Sequence, residues 1–428
     1  MPLWRCDFEQ CGRPGDESNY DPAVRKAEES ELEQLIEKIN TTALAARATR
    51  LRGGIACSIP PLQYERETCA SVMGGMNYHI EVRFCDGVTW LARIRRFNAT
   101  SPPKVLRDYI MISEVATLQF LEKTNVPAPR VFDYALEDPA VGVGFILMEK
   151  MPGKSLRWPL ATQAQRNRVM FQLSDVFIEL YKYPFDSLGS LESPGSSQVG
   201  ALARELLMNV VESKVCKSGP FFSIQEYHRS SLQQLIGMIM HEEMYSRRAV
   251  DAYLIHLFLI DLIPLVVPPQ SGSEPEDAKF YLKHTDDKGD HILVDEECNI
   301  TGVIDWEWAC TAPPFHAFNS PIGLLPVAEF YDGKNTLGKD ESTFAAMLEE
   351  KGHPELAGYV RRGRLQHRFA FCCGFDLADW DGFLGLFKGL RAAVCVDADL
   401  EWDEWRAVAL ERYKDEEDLQ VLLSRLVY

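Results

Sequence analysis

The part of the sequence that most constrains this chain is residues 284–307, where acidic residues flank two short apolar strands. Segments 292–294 and 302–304 are separated by a polar, turn-forming run, which predicts a β-hairpin. Asp286 lies in the loop before the first strand and Asp305 directly follows the second, so pairing of the strands brings both carboxylates toward the same end. One carboxylate can then accept a proton from a hydroxyl while the other holds Mg²⁺. Phosphoryl transfer needs both of these roles.

The same residues resemble the aminoglycoside phosphotransferase family, and kinase-like small-molecule phosphotransferases in general. In that family His-Gly-Asp is followed by four residues, by Asn-Ile-Leu-Val, and later by Ile-Asp-Trp/Phe-Glu. Here residues 284–294 are His-Thr-Asp, four residues and His-Ile-Leu-Val, and residues 304–307 are Ile-Asp-Trp-Glu. The resemblance implies that Asp286 is the catalytic base, that Asp305 is the main Mg²⁺ ligand, and that His284 braces the loop.

One position departs from the family pattern. His291 stands where the family has a metal-binding asparagine. A neutral imidazole can bind a divalent cation, whereas Mg²⁺ prefers oxygen, so Asp290 or Asp287 is a candidate for the missing oxygen ligand. The loop resembles the Lys-Gly-Asp-His loop of fungal members, which makes His291 a subfamily trait and a candidate metal ligand. The alternative is that the second metal site is lost and activity is weak or absent.

Alternating apolar residues ahead of this segment predict a small antiparallel sheet with one inserted helix. The predicted strands are 78–84, 88–94, 131–134 and 143–148, and the predicted helix is 110–121. Gly74, Gly75 and Asn77 fall between the apolar segment 69–73, a further predicted strand, and the strand 78–84, where the family has a nucleotide-covering loop. Small residues there allow backbone N–H groups to approach phosphates, although a plain hairpin turn is the alternative.

The resemblance implies further nucleotide-binding residues in and beside this sheet. Arg93 stands where the family places a phosphate-contacting lysine or arginine, and Glu114 resembles the helix glutamate that pairs with that cation. Helix capping by Ser113 and Glu114 is the alternative. The strand that ends near Gly153 resembles the hinge between two lobes, so the backbone from Glu149 to Met151 is expected to hydrogen-bond an adenine.

The acceptor site is predicted from a weaker pattern. Asp376, Asp379 and Trp380 belong to an acidic and aromatic cluster in the C-terminal third of the chain. Such a cluster can bind a cationic amine through its carboxylates and through cation–π contacts. A helix cap or a solvated helix face explains the same residues equally well.

Composition excludes some classes of function. The net charge of −18 makes the surface a poor partner for nucleic acid, which needs clustered lysine and arginine. Eleven scattered cysteines are typical of reduced intracellular thiols, and no secretory signal is evident, so we expect a cytoplasmic protein. The apolar run 253–267 contains Asp261 and Pro264 and is expected to be too short to cross a bilayer, which favours a buried helix and no membrane partner.

Taken together, the sequence predicts an α+β, bilobal protein-kinase-like fold with a small antiparallel β-sheet in the N-lobe and a mainly helical C-lobe. The predicted divisions are an N-terminal extension with one helix (1–60), a nucleotide-binding N-lobe (61–150), and a helical C-lobe with the catalytic hairpin and acceptor site (151–428). The resemblance implies ATP and Mg²⁺ as cofactors and a small-molecule hydroxyl as acceptor, and the oligomeric state stays unknown. A catalytically impaired nucleotide or ligand binder is the alternative. A protein kinase is disfavoured because prolines 313–314 follow Asp305 closely and no Ala-Pro-Glu segment is recognisable.

Overall fold

The computed structural model describes residues 17–62, 76–97, 101–204, 209–211, 214–267, 279–374 and 379–425. A five-stranded antiparallel sheet forms the N-lobe, with strand order β1-β2-β3-β5-β4. Its strands are β1 (Cys57–Ser58), β2 (Asn77–Phe84), β3 (Thr89–Arg95), β4 (Val131–Ala135) and β5 (Phe145–Glu149). Strands β2 and β3 form the predicted hairpin, with Asn77 opposite Arg95 and Arg83 opposite Thr89. The predicted small antiparallel sheet is therefore confirmed.

Two helices precede the sheet, where the sequence predicts one. They are α1 (Glu17–Lys38) and α2 (Thr41–Leu51). The break lies at Asn40, whose side chain accepts a hydrogen bond from the backbone N–H of Ala43 and so caps α2 (3.1 Å). Buried Leu32 and Leu44 from these helices pack in one cluster with the apolar face of the sheet. Residues 32–48 of the N-terminal extension thus contribute to the core of the N-lobe.

The inserted helix α3 spans Lys104–Leu121 and begins earlier than the sequence predicts. Pro103 directly precedes it, and proline is well suited to the start of a helix because its fixed φ matches the helical value. Ser113 and Glu114 therefore lie in the helix interior and not at its start. A capping role for this pair is excluded, and both side chains are buried.

The C-lobe is mainly helical, as predicted. Its helices are α4 (Gln163–Leu180), α5 (Ile224–Met240), α6 (Ala249–Val266), α7 (Pro314–Ala317), α8 (Val327–Tyr331), α9 (Lys339–Glu350), α10 (Pro354–Arg362), α11 (Arg364–Gly374), α12 (Trp380–Val394), α13 (Trp402–Arg412) and α14 (Glu417–Arg425). Helix α6 lies at the centre, in contact with α5 and with α11 to α14.

Helix α6 is longer than the sequence predicts. Together with the turn before it, the stretch Ser246–Val266 is the one helix in the described residues that is long and apolar enough to cross a membrane. The expectation that this run is too short was therefore wrong. Packing against five other helices is the environment of a core helix, and most of its apolar side chains are buried against protein, with Leu265 exposed.

Short strands join the helices of the C-lobe. They are β6 (Lys154–Ser155), β7 (Ser190–Leu191), β8 (Val199–Gly200), β9 (Asn209–Val211), β10 (Lys214–Cys216), β11 (Tyr281–Lys283), β12 (Ile292–Val294), β13 (Ile300–Val303) and β14 (Cys310–Ala312). Strands β12 and β13 form the predicted hairpin, and β6 pairs with the other edge of β12. The chain therefore docks on this hairpin as soon as it leaves the N-lobe sheet.

Candidate active site at the junction of the lobes

Hydrogen bonds hold the loop between β11 and β12 against Ile304, which directly follows β13 of the hairpin. The His284 Nε2 donates a hydrogen bond to the carbonyl of Ile304 (2.9 Å), and the Ile304 N–H donates to the carbonyl of His291 (2.9 Å). The two imidazole rings stack, with 4.2 Å between their centroids. These contacts hold the loop that carries Asp286 against the residue that precedes Asp305.

Asp305 adopts an unusual backbone conformation at the end of the hairpin. Its φ is +63°, in the left-handed region that residues other than glycine seldom occupy. Its side chain is about half exposed, and its Oδ1 accepts a hydrogen bond from Arg93 Nη2 (2.9 Å). Partial burial acts to raise the pKa of the Asp305 carboxyl, but the positive charge of Arg93, aided by His284, outweighs it and leaves the pKa below the usual value. Asp305 is thus a charged carboxylate on a strained turn, a combination typical of functional sites.

Arg93 connects the two lobes. It projects from β3 and is almost fully buried, and its guanidinium reaches Glu114 on α3 as well as Asp305. Its Nη2 also donates to Glu307 Oε2 (2.5 Å). Burial alone acts to lower the pKa of Arg93, but the charges of Glu114 and Asp305 outweigh it and raise the pKa. The predicted pairing of the strand cation with the helix glutamate is present, and a cluster of carboxylates surrounds it.

Glu307 is the residue at this junction to which sequence reasoning assigned no role. It is buried, and it accepts hydrogen bonds from three side chains of the N-lobe sheet: Asn77 Nδ2 (2.9 Å), Arg93 Nη2 and Arg95 Nη1. Because Asp305 and Glu307 both contact the same Arg93 nitrogen, their carboxylates converge. The spacing of two residues around the buried Trp306 is the signal in the sequence that could have identified it.

Asp286 lies on the accessible side of the loop. Its side chain is about one third exposed, and Lys288 Nζ is 3.0 Å from its Oδ1. The hydrogen bond to Asp286 is the largest influence on Lys288 and raises the pKa of that ammonium group. The neighbouring Thr285 hydroxyl donates to the carbonyl of Trp308 (3.3 Å), which ties this side of the loop to the chain after Glu307. A half-buried carboxylate beside a lysine is accessible to a substrate and retains a charge partner.

The structure narrows the choice of metal ligands in the loop. His291 is buried and its pKa is lowered to about 2, chiefly by desolvation, so its ring is neutral. The His291 Nδ1 accepts the Gly289 N–H (3.3 Å). Asp287 is occupied elsewhere, because its Oδ1 accepts the Ile322 N–H (3.1 Å) and its Oδ2 faces Lys283. Asp287 is therefore a loop anchor and not a free oxygen ligand, whereas Asp290 is exposed. Within the described ranges, no group of three or more His, Cys, Asp or Glu side chains is arranged to hold a metal ion.

The predicted nucleotide loop is described only in part. Gly74 and Gly75 lie outside the described residues, as does Asp376 of the predicted acceptor cluster. Asn77 is buried at the start of β2 and uses its side-chain amide on Glu307. The part of this segment that is described therefore faces the catalytic hairpin.

The predicted hinge runs directly along the hairpin. The backbone N–H of Glu149 donates to the carbonyl of Arg130 (2.8 Å), so it is not free for an adenine. Gly153 has φ +101°, and a Cβ there would lie 2.7 Å from the carbonyl oxygen of Val294, which only glycine avoids. The side chain of Met151 also packs closely on Gly302, where an added Cβ would lie 3.1 Å from Met151 Cβ. The predicted hinge and the β12–β13 hairpin are therefore in direct contact.

The residues predicted for the acceptor site have structural partners. Asp379 caps α12, because its Oδ1 accepts the Gly382 N–H (3.2 Å). The guanidinium of Arg248 lies over the ring of Trp380, 4.0 Å from its centroid, and Trp402 packs edge-on against that ring. The capping explanation therefore accounts for Asp379, and a cation already covers Trp380.

Comparison with curated proteins finds limited similarity. No protein-family model matches the sequence. The chain is 34% identical over 123 residues to a subtelomeric hrmA-associated cluster protein of Aspergillus fumigatus, which covers 28% of this chain and 23% of that protein. It is 26% identical over 258 residues to clavilactone A biosynthesis cluster protein Y of Ampulloclitocybe clavipes, which covers 58% of this chain and 62% of that protein. The chain thus spans about a quarter of the first relative and less than two thirds of the second.

Comparison with solved structures finds distant neighbours of similar size. A structure assigned as an aminoglycoside phosphotransferase from Ralstonia eutropha is 16% identical, with a TM-score of 0.48 over 89% of this chain and 97% of that one. A structure assigned as a fructosamine-3-kinase from Thermobifida fusca is 14% identical, with a TM-score of 0.46 over 83% of this chain and 100% of that one. Both TM-scores are below 0.5, so neither similarity bears on the activity of this chain.

Proposed function

We propose that this chain is an ATP-dependent phosphotransferase that moves the γ-phosphate to a hydroxyl of a small molecule. The observation that supports it best is the contact between Arg93 Nη2 and Asp305 Oδ1 (2.9 Å). It joins the buried pair of Arg93 and Glu114 to the half-exposed carboxylate of Asp305 at the hairpin end. Phosphoryl transfer depends mainly on positioning and charge stabilisation, and this network supplies a fixed cation and a fixed carboxylate beside the hinge.

Mg²⁺ fits the carboxylates at this junction. Mg²⁺ in nucleotide sites usually takes one or two protein carboxylates and completes its coordination with phosphates and water. Asp305 and Glu307 converge on one nitrogen of Arg93 and are oxygen donors of the required type. The bound ion would neutralise charge on the phosphates. His291, a neutral ring without an oxygen, is the weaker candidate ligand.

Asp286 would act as the base. Its carboxylate is accessible on the loop that His284 fastens to the hairpin end, so its position relative to Asp305 is fixed. In the proposed reaction it accepts the proton of the acceptor hydroxyl as that oxygen attacks the γ-phosphorus, while the bond from the γ-phosphorus to the bridging β–γ oxygen breaks and ADP leaves. Lys288 Nζ, 3.0 Å from Asp286 Oδ1, is the cation that faces this carboxylate before the acceptor binds.

The acceptor and the cellular location are inferred from general properties of the chain. The acidic charge of the chain and its helical C-lobe suit a small soluble acceptor, and we infer a cytoplasmic enzyme that binds neither nucleic acid nor membrane. The second candidate function is a catalytically impaired nucleotide binder. His291 favours it, because the ring replaces the oxygen that the resembling family uses for metal binding.

The test is transfer of radiolabelled phosphate from ATP, with Mg²⁺, to a panel of alcohols and amino alcohols. Removal of a general base is expected to slow turnover by roughly 100-fold to 10,000-fold, so Asp286→Asn should lose transfer. Asp305→Asn should lose transfer as well, because it removes the charge of an oxygen ligand proposed for Mg²⁺. Asp175→Asn is the matched control, since this exposed carboxylate of α4 pairs with Lys351 and has no role in the proposed site. If wild type binds ATP but transfers no phosphate to any member of the panel, and Asp286→Asn behaves identically, the impaired binder is the better description.

A further inference from the structure

A small cavity at the junction of the lobes is lined by three arginines. Arg93 and Arg95 reach it from β3, and Arg107 reaches it from α3. Arg107 is seven residues before Glu114, two helical turns away on the same face. Asn77, Glu114 and Glu307 complete the polar lining. Three guanidinium groups around one enclosed space repel one another unless anions lie among them. The cavity is therefore an anion-binding environment by composition.

The hydrogen bonding of these arginines is incomplete. Arg93, which is more than nine-tenths buried, has a buried Nε without a hydrogen-bond partner among the residues that the structure describes. The same is true of Arg107 Nε, whose guanidinium lies over the exposed ring of Phe97 at 4.3 Å. A buried N–H donor without an acceptor is unfavourable, because it has lost water and gained nothing in return. Both donors are thus available to an added oxyanion.

Glu307 is the oxyanion in this cavity that contacts both arginines of β3, while Glu114 pairs with Arg93. Its carboxylate accepts from Arg93, Arg95 and Asn77 at the wall of the cavity. The centre of a water molecule can occupy a volume of about 20 Å³ in this cavity, which is room for about one water molecule. A phosphate group can therefore bind among the arginines only if the Glu307 carboxylate moves aside. Carboxylate and phosphate both present paired oxygens to an arginine fork, so one can replace the other.

We propose that this cavity is a phosphate-binding site in which Arg95 and Arg107 act with Arg93, and that Glu307 occupies it until a polyphosphate displaces its carboxylate. As a statement about nucleotide binding, this rests on the function proposed above. A phosphate carries more negative charge than a carboxylate and can engage all three arginines at once, which favours the exchange. The released Glu307 carboxylate remains two residues from Asp305, where it can serve the cation.

The test is calorimetric titration with three probes: adenosine, ATP and inorganic tripolyphosphate, all in EDTA so that no metal contributes. Arg107→Gln is expected to weaken the binding of ATP and of tripolyphosphate by roughly 10-fold to 100-fold, which is the factor for one charge-assisted hydrogen bond. The affinity for adenosine should not change. Glu307→Gln is expected to bind tripolyphosphate more tightly than wild type, because the neutral amide competes less well for the arginines. Arg83→Gln is the matched control, an exposed arginine of the same sheet that pairs with Glu81.

The outcomes separate this proposal from the function proposed above. ATP binding that responds to Arg107→Gln no more than to Arg83→Gln overturns the cavity proposal and leaves the nucleotide proposal standing. A second outcome is tripolyphosphate binding that depends on Arg107 and is strengthened by Glu307→Gln, while ATP binds no more tightly than tripolyphosphate. That result supports the cavity proposal and argues against a nucleotide enzyme. A lack of tripolyphosphate binding in both wild type and Glu307→Gln also overturns it. Arg107→Lys, which keeps the charge but not the fork, should fall between wild type and Arg107→Gln if the protein is folded.

Discussion

Removal of the Glu114 charge is the most direct test of the network around Arg93. Both side chains of this ion pair are less than a tenth exposed, and breaking a buried pair commonly costs about 3–5 kcal/mol of unfolding free energy. Arg93 keeps two other carboxylates, Asp305 and Glu307, so its charge is not left uncompensated. We therefore expect Glu114→Gln to lower the free energy of unfolding by about 1.5–3 kcal/mol, the value of one hydrogen bond between charged groups.

The measurement is urea unfolding of wild type and Glu114→Gln, with the slope against urea compared as well as the midpoint. Glu349→Gln is the matched control, because it removes the same charge from an exposed pair with Arg361. Exposed pairs contribute about 0–1 kcal/mol, so the control should change little. If Glu114→Gln and Glu349→Gln shift the unfolding free energy equally, or if Glu114→Gln stabilises the protein, Arg93 does not depend on Glu114 and the network is described incorrectly.

Three further predictions concern the surroundings of the site. Gly153→Ala should destabilise the hinge by about 1–3 kcal/mol, measured by urea unfolding, because its φ of +101° and the nearby β12 carbonyl exclude a Cβ; stability equal to wild type would contradict this. Asp287→Ala should release the Ile322 N–H and so increase hydrogen exchange of the catalytic loop without unfolding the C-lobe; unchanged exchange would show that Asp287 is no anchor. Burial opposes ionisation of Glu179, but hydrogen bonds from Lys182 and its other partners dominate and lower its pKa from 4.5 to about 2. A depressed acid pKa stabilises the fold above the unfolded value, so the stability lost in Glu179→Gln should be full at pH 7 and fade as pH falls from about 4.5 toward 2; a difference that stays constant in urea titrations from pH 7 to pH 3 would refute it.

Local pattern was sufficient for the parts of this fold that depend on local interactions. The strands of the N-lobe sheet alternate apolar and polar residues, and the hairpin at 292–303 has two apolar runs around a turn. Both features can be predicted from the spacing of apolar residues in the sequence. Local pattern failed where one hydrogen bond decides a boundary. The break between α1 and α2 depends on the side chain of Asn40, and hydrophobic spacing continues across it.

The site divides in a similar way. Asp305 and Arg93 could be named because each sits at a recognisable place in a short motif, and their contact confirms that the two motifs face each other. The contacts of Glu307 could not be named, because they join residues more than 200 positions apart and no period or turn encodes such a pairing. The role of Asp287 was missed for the same reason, since its partner is the backbone of Ile322.

The Glu307 contacts also bear on how a cation and a phosphate would act together at this junction. In the proposed site, Mg²⁺ would compete with arginine for the same two carboxylates, Asp305 and Glu307, and phosphate would compete with carboxylate for the same arginines. A cation that draws the carboxylates away frees Arg93 and Arg95 for phosphate, and a phosphate that takes the arginines frees the carboxylates for the cation. Each ligand therefore removes the competitor of the other, and by linkage each must raise the affinity of the other by the same factor. Positive coupling between metal and polyphosphate thus follows from the charge arrangement itself, even if the metal and the phosphate never share a ligand.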